Sequence, residues 1–328
     1  MRYGVRIIGL AGALPEHIVK NSDLEKFLDT SSSWIEERTG IKERRICKEG
    51  EDSLSLSLEA ARKALGKMPV EQIDLILVAT STPEYLYPST SCRLQAELAA
   101  VNAAAFDLSA ACSGFIYGLV TAAQFIQAGS YKNVLLVGVD IHSRFLDWSD
   151  RSTAILFGDG AGAAILSACD IEDNQLLTHY LRADGHSAND LTLKTVASSY
   201  PQLPSSQISE TVKMNGRKIY QFAVKSVPQV ISKSAKQAGL EIADIDYLVC
   251  HQANQRILDA ICQRLDFPID KCLSNISRYA NTSAASIPLV WAENMQKISD
   301  DSLLALAGFG AGLTIGSVIW KWKSPFEK

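Results

Sequence analysis

Short apolar runs alternate with amphipathic stretches along almost the whole chain. The runs LVAT, VLLVGV, AGAAIL, YLVC and LLALAG are continuous rather than period-two, as strands read when both faces of their sheet are covered. Between them lie segments such as SGFIYGLVTAAQFIQ, in which Phe115, Leu119, Ala122 and Ile126 recur at helical spacing. Strands alternating with helices predict an α/β architecture. The least regular stretch, residues 184–212, is rich in Ser, Pro and polar residues, and predicts a long surface excursion that forms a flap over a site.

The pattern also repeats. EQIDLILVAT (71–80) and ADIDYLVCHQ (243–252) share an I-D-x-[LI]-x-V core at an offset of 172, and each follows an Ala- and Lys-containing helical stretch. CSGFIYGLVTAAQFIQAGSYKNVLLVGV aligns with NTSAASIPLVWAENMQKISDDSLLALAGF, pairing Cys112 with Asn281 and Val134 with Leu303 at an offset of 169. Both segments run small-residue turn, helix, polar turn, buried strand. Two echoes at nearly one offset predict a duplicated half of about 170 residues, dividing the chain into 1–172 and 173–328.

Composition adds mainly exclusions. The chain has 328 residues, 47% hydrophobic and 21% charged, with a formal net charge of −4. Mild acidity argues against bulk nucleic-acid binding. Seven cysteines at irregular spacing make no disulfide framework, and five scattered histidines with no C-x-x-C pair predict no metal site. The N-terminal MRYGVRIIGLAGALPEH is broken by Gly9, Gly12 and Pro15, so a first strand and turn is favoured over a secretory signal. No segment approaches the roughly 18 uninterrupted apolar residues of a membrane span, and a soluble, cytoplasmic protein is expected.

One cysteine stands apart. In FDLSAACSGFIYGLV, Cys112 lies between small residues where the chain enters a helix, whose N-terminal dipole and free N–H groups lower a thiol pKa. Cys47, Cys169, Cys262 and Cys272 are read as structural. Asn281 holds the aligned position in the other half, and His251 follows directly after the strand IDYLVC. Strand C-terminal ends and helix N-termini gather on one face of such a sheet, so the three side chains are candidates for one site. Two Gly-rich stretches differ: FGDGAGAAIL leads into a strand and reads as close backbone packing. AGFGAGLTIGS lets the main chain approach a ligand and could offer an oxyanion donor.

These residues resemble the thiolase-fold ketoacyl-acyl-carrier-protein synthase III enzymes. The likeness runs through WIEERTGIKERRI (34–46), AACSGF (110–115), DRSTAILFGDGAGAAIL (150–166), MNGRKIYQFAV (214–224), HQANQRI (251–257), NTSAASIP (281–288) and GFGAG (308–312). It implies a thiolase-like fold of two pseudo-symmetric halves, each a mixed sheet with helices, layered αβαβα. It also implies a decarboxylative Claisen condensation: Cys112 takes an acyl group from a coenzyme A thioester, and malonyl carrier protein then binds and loses CO2. His251 and Asn281 would hydrogen-bond the thioester carbonyl, and no cofactor is implied beyond the coenzyme A thioester as substrate. The backbone N–H groups of Cys112 and Ala311 match the oxyanion hole; Trp34, Arg38, Arg151 and Asn254 match the coenzyme A site. Tyr87 matches an aromatic reaching the partner subunit's acyl pocket in a homodimer, and Arg256 a docking arginine.

A basic bias from Thr211 to Lys236 (Lys213, Arg217, Lys218, Lys225, Lys233 and Lys236, with no acid) suits an acidic carrier protein independently. Two positions depart from the family: Ala311 interrupts a glycine triplet, and Ile315 stands where tryptophan is common. Both bear on primer choice. The alternatives are an acyl transferase or condensing enzyme of a secondary-metabolite pathway and a non-catalytic scaffold, the latter disfavoured by the presence of Cys112.

Overall fold

In the computed structural model the described residues are 1–194 and 211–325. Two sheets carry the fold. The first orders its strands Gly4–Ala13, Gly160–Cys169, Asn133–Asp140, Leu75–Ala79 and Ala104–Leu108 from edge to edge. The second orders Leu176–Ala183, Thr314–Lys321, Leu303–Gly310 and Tyr247–Cys250. The directions match: Leu75–Ala79 runs parallel to Asn133–Asp140, and Tyr247–Cys250 parallel to Leu303–Gly310, while the two outer strands of each set are antiparallel. A lone bridge between Leu248 and Cys272 stands where the first sheet has its fifth strand. The first sheet draws its strands from residues 4–169 and the second from 176–321.

Three apolar cores fill the layers. Ser53–Leu65 and Thr90–Leu98 cover the outer face of the first sheet through Leu56, Ala60 and Leu94. Gly216–Gln237 and Gln255–Leu265 cover the second through Val227, Ile231 and Leu258. Between the sheets lie Gly114–Ala128 and Ser286–Asn294, with Phe115, Leu119, Ile287 and Trp291 fully buried. The layers therefore run αβαβα. Residues 111–128 are long and apolar enough to cross a membrane, but 67% of that stretch is buried between the sheets. A helix that is apolar all round is what a central layer requires.

The duplication is real in the backbone, but its register differs from the sequence alignment. Ala111 (φ 48°) and Ser283 (φ 50°) share the left-handed turn before the central helices, an offset of 172, so Cys112 corresponds to Ala284 and not to Asn281. Likewise Leu75 pairs with Val134 and Tyr247 with Leu304, which moves the equivalent of Val134 from Leu303 to Leu304. The alignment slipped by one helical turn because both NTS and ACS read as small polar turns ahead of a helix. Within and beside the predicted excursion at 184–212, Gly185–Asp190 forms a 3-10 turn and Leu191–Thr192 pairs with Lys213–Met214. Its stretch 195–210 lies outside the described residues.

Candidate active site

Cys112 lies in the 3-10 turn Ala111–Ser113 that leads into Gly114–Ala128. The turn is pressed against the end of the Leu303–Gly310 strand, where a Cβ on Gly310 would stand 2.6 Å from the Cys112 nitrogen. Only glycine permits that approach. The acceptor recorded for the Cys112 N–H is its own sulfur, a contact that favours the thiolate. Thr314 fixes the turn from the other side: its Oγ1 donates to the Ala110 carbonyl at 3.0 Å and lies 2.8 Å from Ser113 Oγ.

The thiol is 6% exposed, and burial pushes it up to about 12, against the acidifying effect expected of a helix start. Desolvation of the anion outweighs the helix end because that end is itself shut away from water. The Ser283 hydroxyl donates to Cys112 Sγ at 3.1 Å and favours the thiolate, the opposite sense. The Cys112 thiol is thus protonated at rest.

His251 follows the Tyr247–Cys250 strand and is 2% exposed. Its Nδ1 lies 2.7 Å from Ser286 Oγ, which accepts the Gln252 N–H at 3.3 Å. A serine hydrogen given to Nδ1 leaves the ring hydrogen on Nε2, the tautomer adopted below. Phe309 stacks edge-on, ring centroids 5.1 Å apart. Burial, with a smaller contribution from His142, holds the imidazole down to about 3. The ring is therefore neutral and presents an N–H.

Asn281 is held by main-chain bonds to Leu156 and Gly158. Its Oδ1 accepts the Ser283 N–H at 2.8 Å, which assigns the amide's orientation and leaves Nδ2 as the free donor. Cys112, His251 and Asn281 line one open cavity with ≈ 680 Å³ of empty space, walled by Leu156, Phe157 and Phe309. A buried thiol facing two neutral N–H donors across an apolar pocket suits acyl capture followed by stabilisation of a developing oxyanion.

The other predicted residues distribute around this cavity. Asn254 is in its wall, accepting from Arg256 N at 2.9 Å and donating to the Arg38 carbonyl at 3.2 Å. That bond ties the wall to the Ser32–Thr39 helix, where the guanidiniums of Arg38 and Arg151 lie 5.9 and 5.0 Å from the Trp34 ring centroid. Lys213, Arg217 and Arg256 are exposed next to the wall residues Met214, Gly216 and Ile257. Lys218 is paired with Asp190 at 2.9 Å. Gly310, not Ala311, forms the cavity surface, while Ala311 is half-buried in the following hairpin turn. Ile315 lines a different cavity, so it does not shape the space beside Cys112. Tyr87 is 87% exposed and away from its own chain's cavity.

Ser283, Ser286 and Asp140 were missed by sequence reasoning. Asp140, fully buried, accepts from Ser81 N at 2.7 Å, Thr82 Oγ1 at 3.1 Å and Ala284 N at 3.1 Å. The offset of 172 would have found the serines: Ser286 and His251 mirror Gly114 and Ala79, which touch at 3.1 Å between Cβ positions.

Comparison with known proteins identifies the family. Residues 106–185 match the profile of 3-Oxoacyl-[acyl-carrier-protein (ACP)] synthase III, and residues 235–322 match its C-terminal profile. A beta-ketoacyl-[acyl-carrier-protein] synthase III of Trichormus variabilis is 46% identical, covering 97% of this chain and 98% of its own. The crystal structure of 3-oxoacyl-[acyl-carrier-protein] synthase III from Aquifex aeolicus superposes with a TM-score of 0.91 at 39% identity, over 97% of this chain and 100% of that one. The priming beta-ketosynthase of the R1128 polyketide pathway superposes with a TM-score of 0.92 at 32% identity, over 99% and 98%.

Proposed function

The chain belongs to the 3-oxoacyl-[acyl-carrier-protein] synthase III family, and from that premise we propose that it joins an acyl-CoA primer to malonyl-acyl-carrier-protein, starting fatty acid synthesis. It is an acyltransferase-type condensing enzyme with a thiolase-like fold. The observation that carries the residue assignment is the single cavity shared by Cys112, His251 and Asn281.

In the first step the Cys112 sulfur attacks the primer's thioester carbon. The new S–C bond replaces the C–S bond to coenzyme A, and the thiol proton ends on the departing coenzyme A sulfur. Because the resting thiol is protonated, deprotonation accompanies attack rather than preceding it. The Cys112 N–H is the ready donor for the tetrahedral oxyanion. In the second step malonyl-acyl-carrier-protein loses CO2, and the electron pair moves into an enolate. His251 Nε2–H and Asn281 Nδ2 stabilise that oxygen as neutral donors. The enolate carbon then attacks acyl-Cys112, forming the C–C bond and expelling the sulfur. Electrons balance without a redox partner, so the chemistry calls for no resident cofactor.

Trp34 between Arg38 and Arg151 suits an adenine with its phosphates, since guanidinium both stacks and binds phosphate. Lys213, Arg217 and Arg256 at the cavity rim suit an acidic carrier protein. A second copy of the chain fits the open edge of the first sheet. There Ala104–Leu108 has no further strand beside it, and Phe106 (39%), Leu86 (73%) and Tyr87 (87%) are exposed. Substrates that are all water-borne fit a soluble, cytoplasmic setting.

The test is release of labelled CO2 from malonyl-acyl-carrier-protein in the presence of a panel of acyl-CoA primers. Release dependent on primer and lost in Cys112→Ala is expected. The likeness to a polyketide-priming synthase supports a second reading, a dedicated pathway. That reading would give condensation confined to an unusual primer, with acetyl-CoA ineffective.

A further inference from the structure

A second cavity, with ≈ 570 Å³ of empty space, lies between the Gly216–Gln237 helix and the edge strand Leu176–Ala183, and shares no residue with the Cys112 cavity. On the helix side, Phe222, Ser226 and Lys233 fall on one stripe; on the strand side, Tyr180 and Arg182 alternate onto one face. Buried Val230 and Ile315 make the floor.

Its charges are unspent. The Arg182 guanidinium has neither a hydrogen bond nor an ion pair among the described residues. The Lys233 ammonium rests 4.0 Å over the Tyr180 ring and makes no ion pair among the described residues. The one acid in the wall, Asp184, is already engaged, accepting the His186 N–H and the Ser187 hydroxyl, each at 3.2 Å. Two cations against one carboxylate, above an apolar, aromatic-walled floor, form a place for an anionic head and a hydrophobic body.

We propose that this cavity is a binding site for a small organic anion, a carboxylate or phosphate carried on an aryl or branched aliphatic body. The head meets Arg182 and Lys233, and the body packs on Phe222 and Ile315. The site also touches the catalytic hairpin. Leu313 exchanges main-chain hydrogen bonds with Asp184 at 2.7 and 2.9 Å, and Thr314, next to Ile315, holds the turn that carries Cys112. An occupant therefore lies one strand residue from the nucleophile's support.

Isothermal titration with phenylphosphate, run with coenzyme A at saturation to fill the Trp34 region, tests this. Saturable binding is expected, at least about tenfold tighter than that of inorganic phosphate and weakened at least about tenfold in Arg182→Gln/Lys233→Gln. Ile315→Trp, which fills the floor, should abolish it. The double variant changes only exposed side chains and should still take an acyl group on Cys112, which shows that it folds. Three results would overturn the proposal: no saturable binding, binding indifferent to the Arg182→Gln/Lys233→Gln exchange, or displacement by coenzyme A. The readout is heat of binding, so it stands apart from whether the chain condenses acyl groups.

Discussion

The same turn and helix start occur twice, and only one of them carries a sulfur. At Ala284 the main-chain N–H is capped by the Asp140 carboxylate, at the end of a strand from the other half. At Cys112 the equivalent strand ends in Gly310, which has no side chain, so no carboxylate caps the N–H. The second contact follows the same logic in reverse. Gly114 against Ala79 is bare packing, whereas Ser286 against His251 is a hydrogen bond that orients the imidazole. The duplicated scaffold thus divides labour. One half gives up a capping carboxylate to expose a donor beside sulfur, and the other adds an imidazole and a serine to aim it.

Changes that make the reactive copy resemble the inert one should cost most. His251→Ala restores the residue its mirror position already has. It should lower CO2 release by about 100- to 1,000-fold while leaving acyl loading of Cys112 within about tenfold, measured side by side. Gly310→Ala inserts a Cβ 2.6 Å from the Cys112 nitrogen and should slow acyl loading by about 100-fold, followed by quenched-flow mass spectrometry.

The inert copy can be broken as well. Asp140→Ala strands the Ala284 and Ser81 N–H groups and should cost roughly 3 kcal/mol or more in urea unfolding.

The mildest change is in pH. Burial holds the Cys112 thiol up to about 12, so its thiolate fraction climbs about tenfold per pH unit through the neutral range. Iodoacetamide alkylation should rise steadily from pH 6 to 9 without a plateau. His251, neutral down to about 3, should add no step of its own.

Much of the molecule could be read from the residues. Continuous runs such as VLLVGV and LLALAG marked the buried strands because both their faces are covered, and the repeat of I-D-x-[LI]-x-V marked the duplication. Cys112, His251 and Asn281 were legible as small-residue turns and strand ends. The register was not, since two small polar turns one helical turn apart look alike in one dimension. Nor was the state of the sulfur: a helix start acidifies a thiol only if water can still reach it, and burial is set by packing from the opposite half. Ser286 carries no signal in one dimension, because only the fold brings His251 against it. Ile315 seemed to bear on the primer pocket, yet the strand turns it to the other side, into the second cavity.

The most direct test of the account is intact-mass spectrometry after exposure to acetyl-CoA and longer acyl-CoAs, with peptide mapping of any adduct. One acyl group on Cys112 is predicted, absent in Cys112→Ala and cleared when malonyl-acyl-carrier-protein is added. An adduct that persists in Cys112→Ala, or no adduct with any primer, would contradict it.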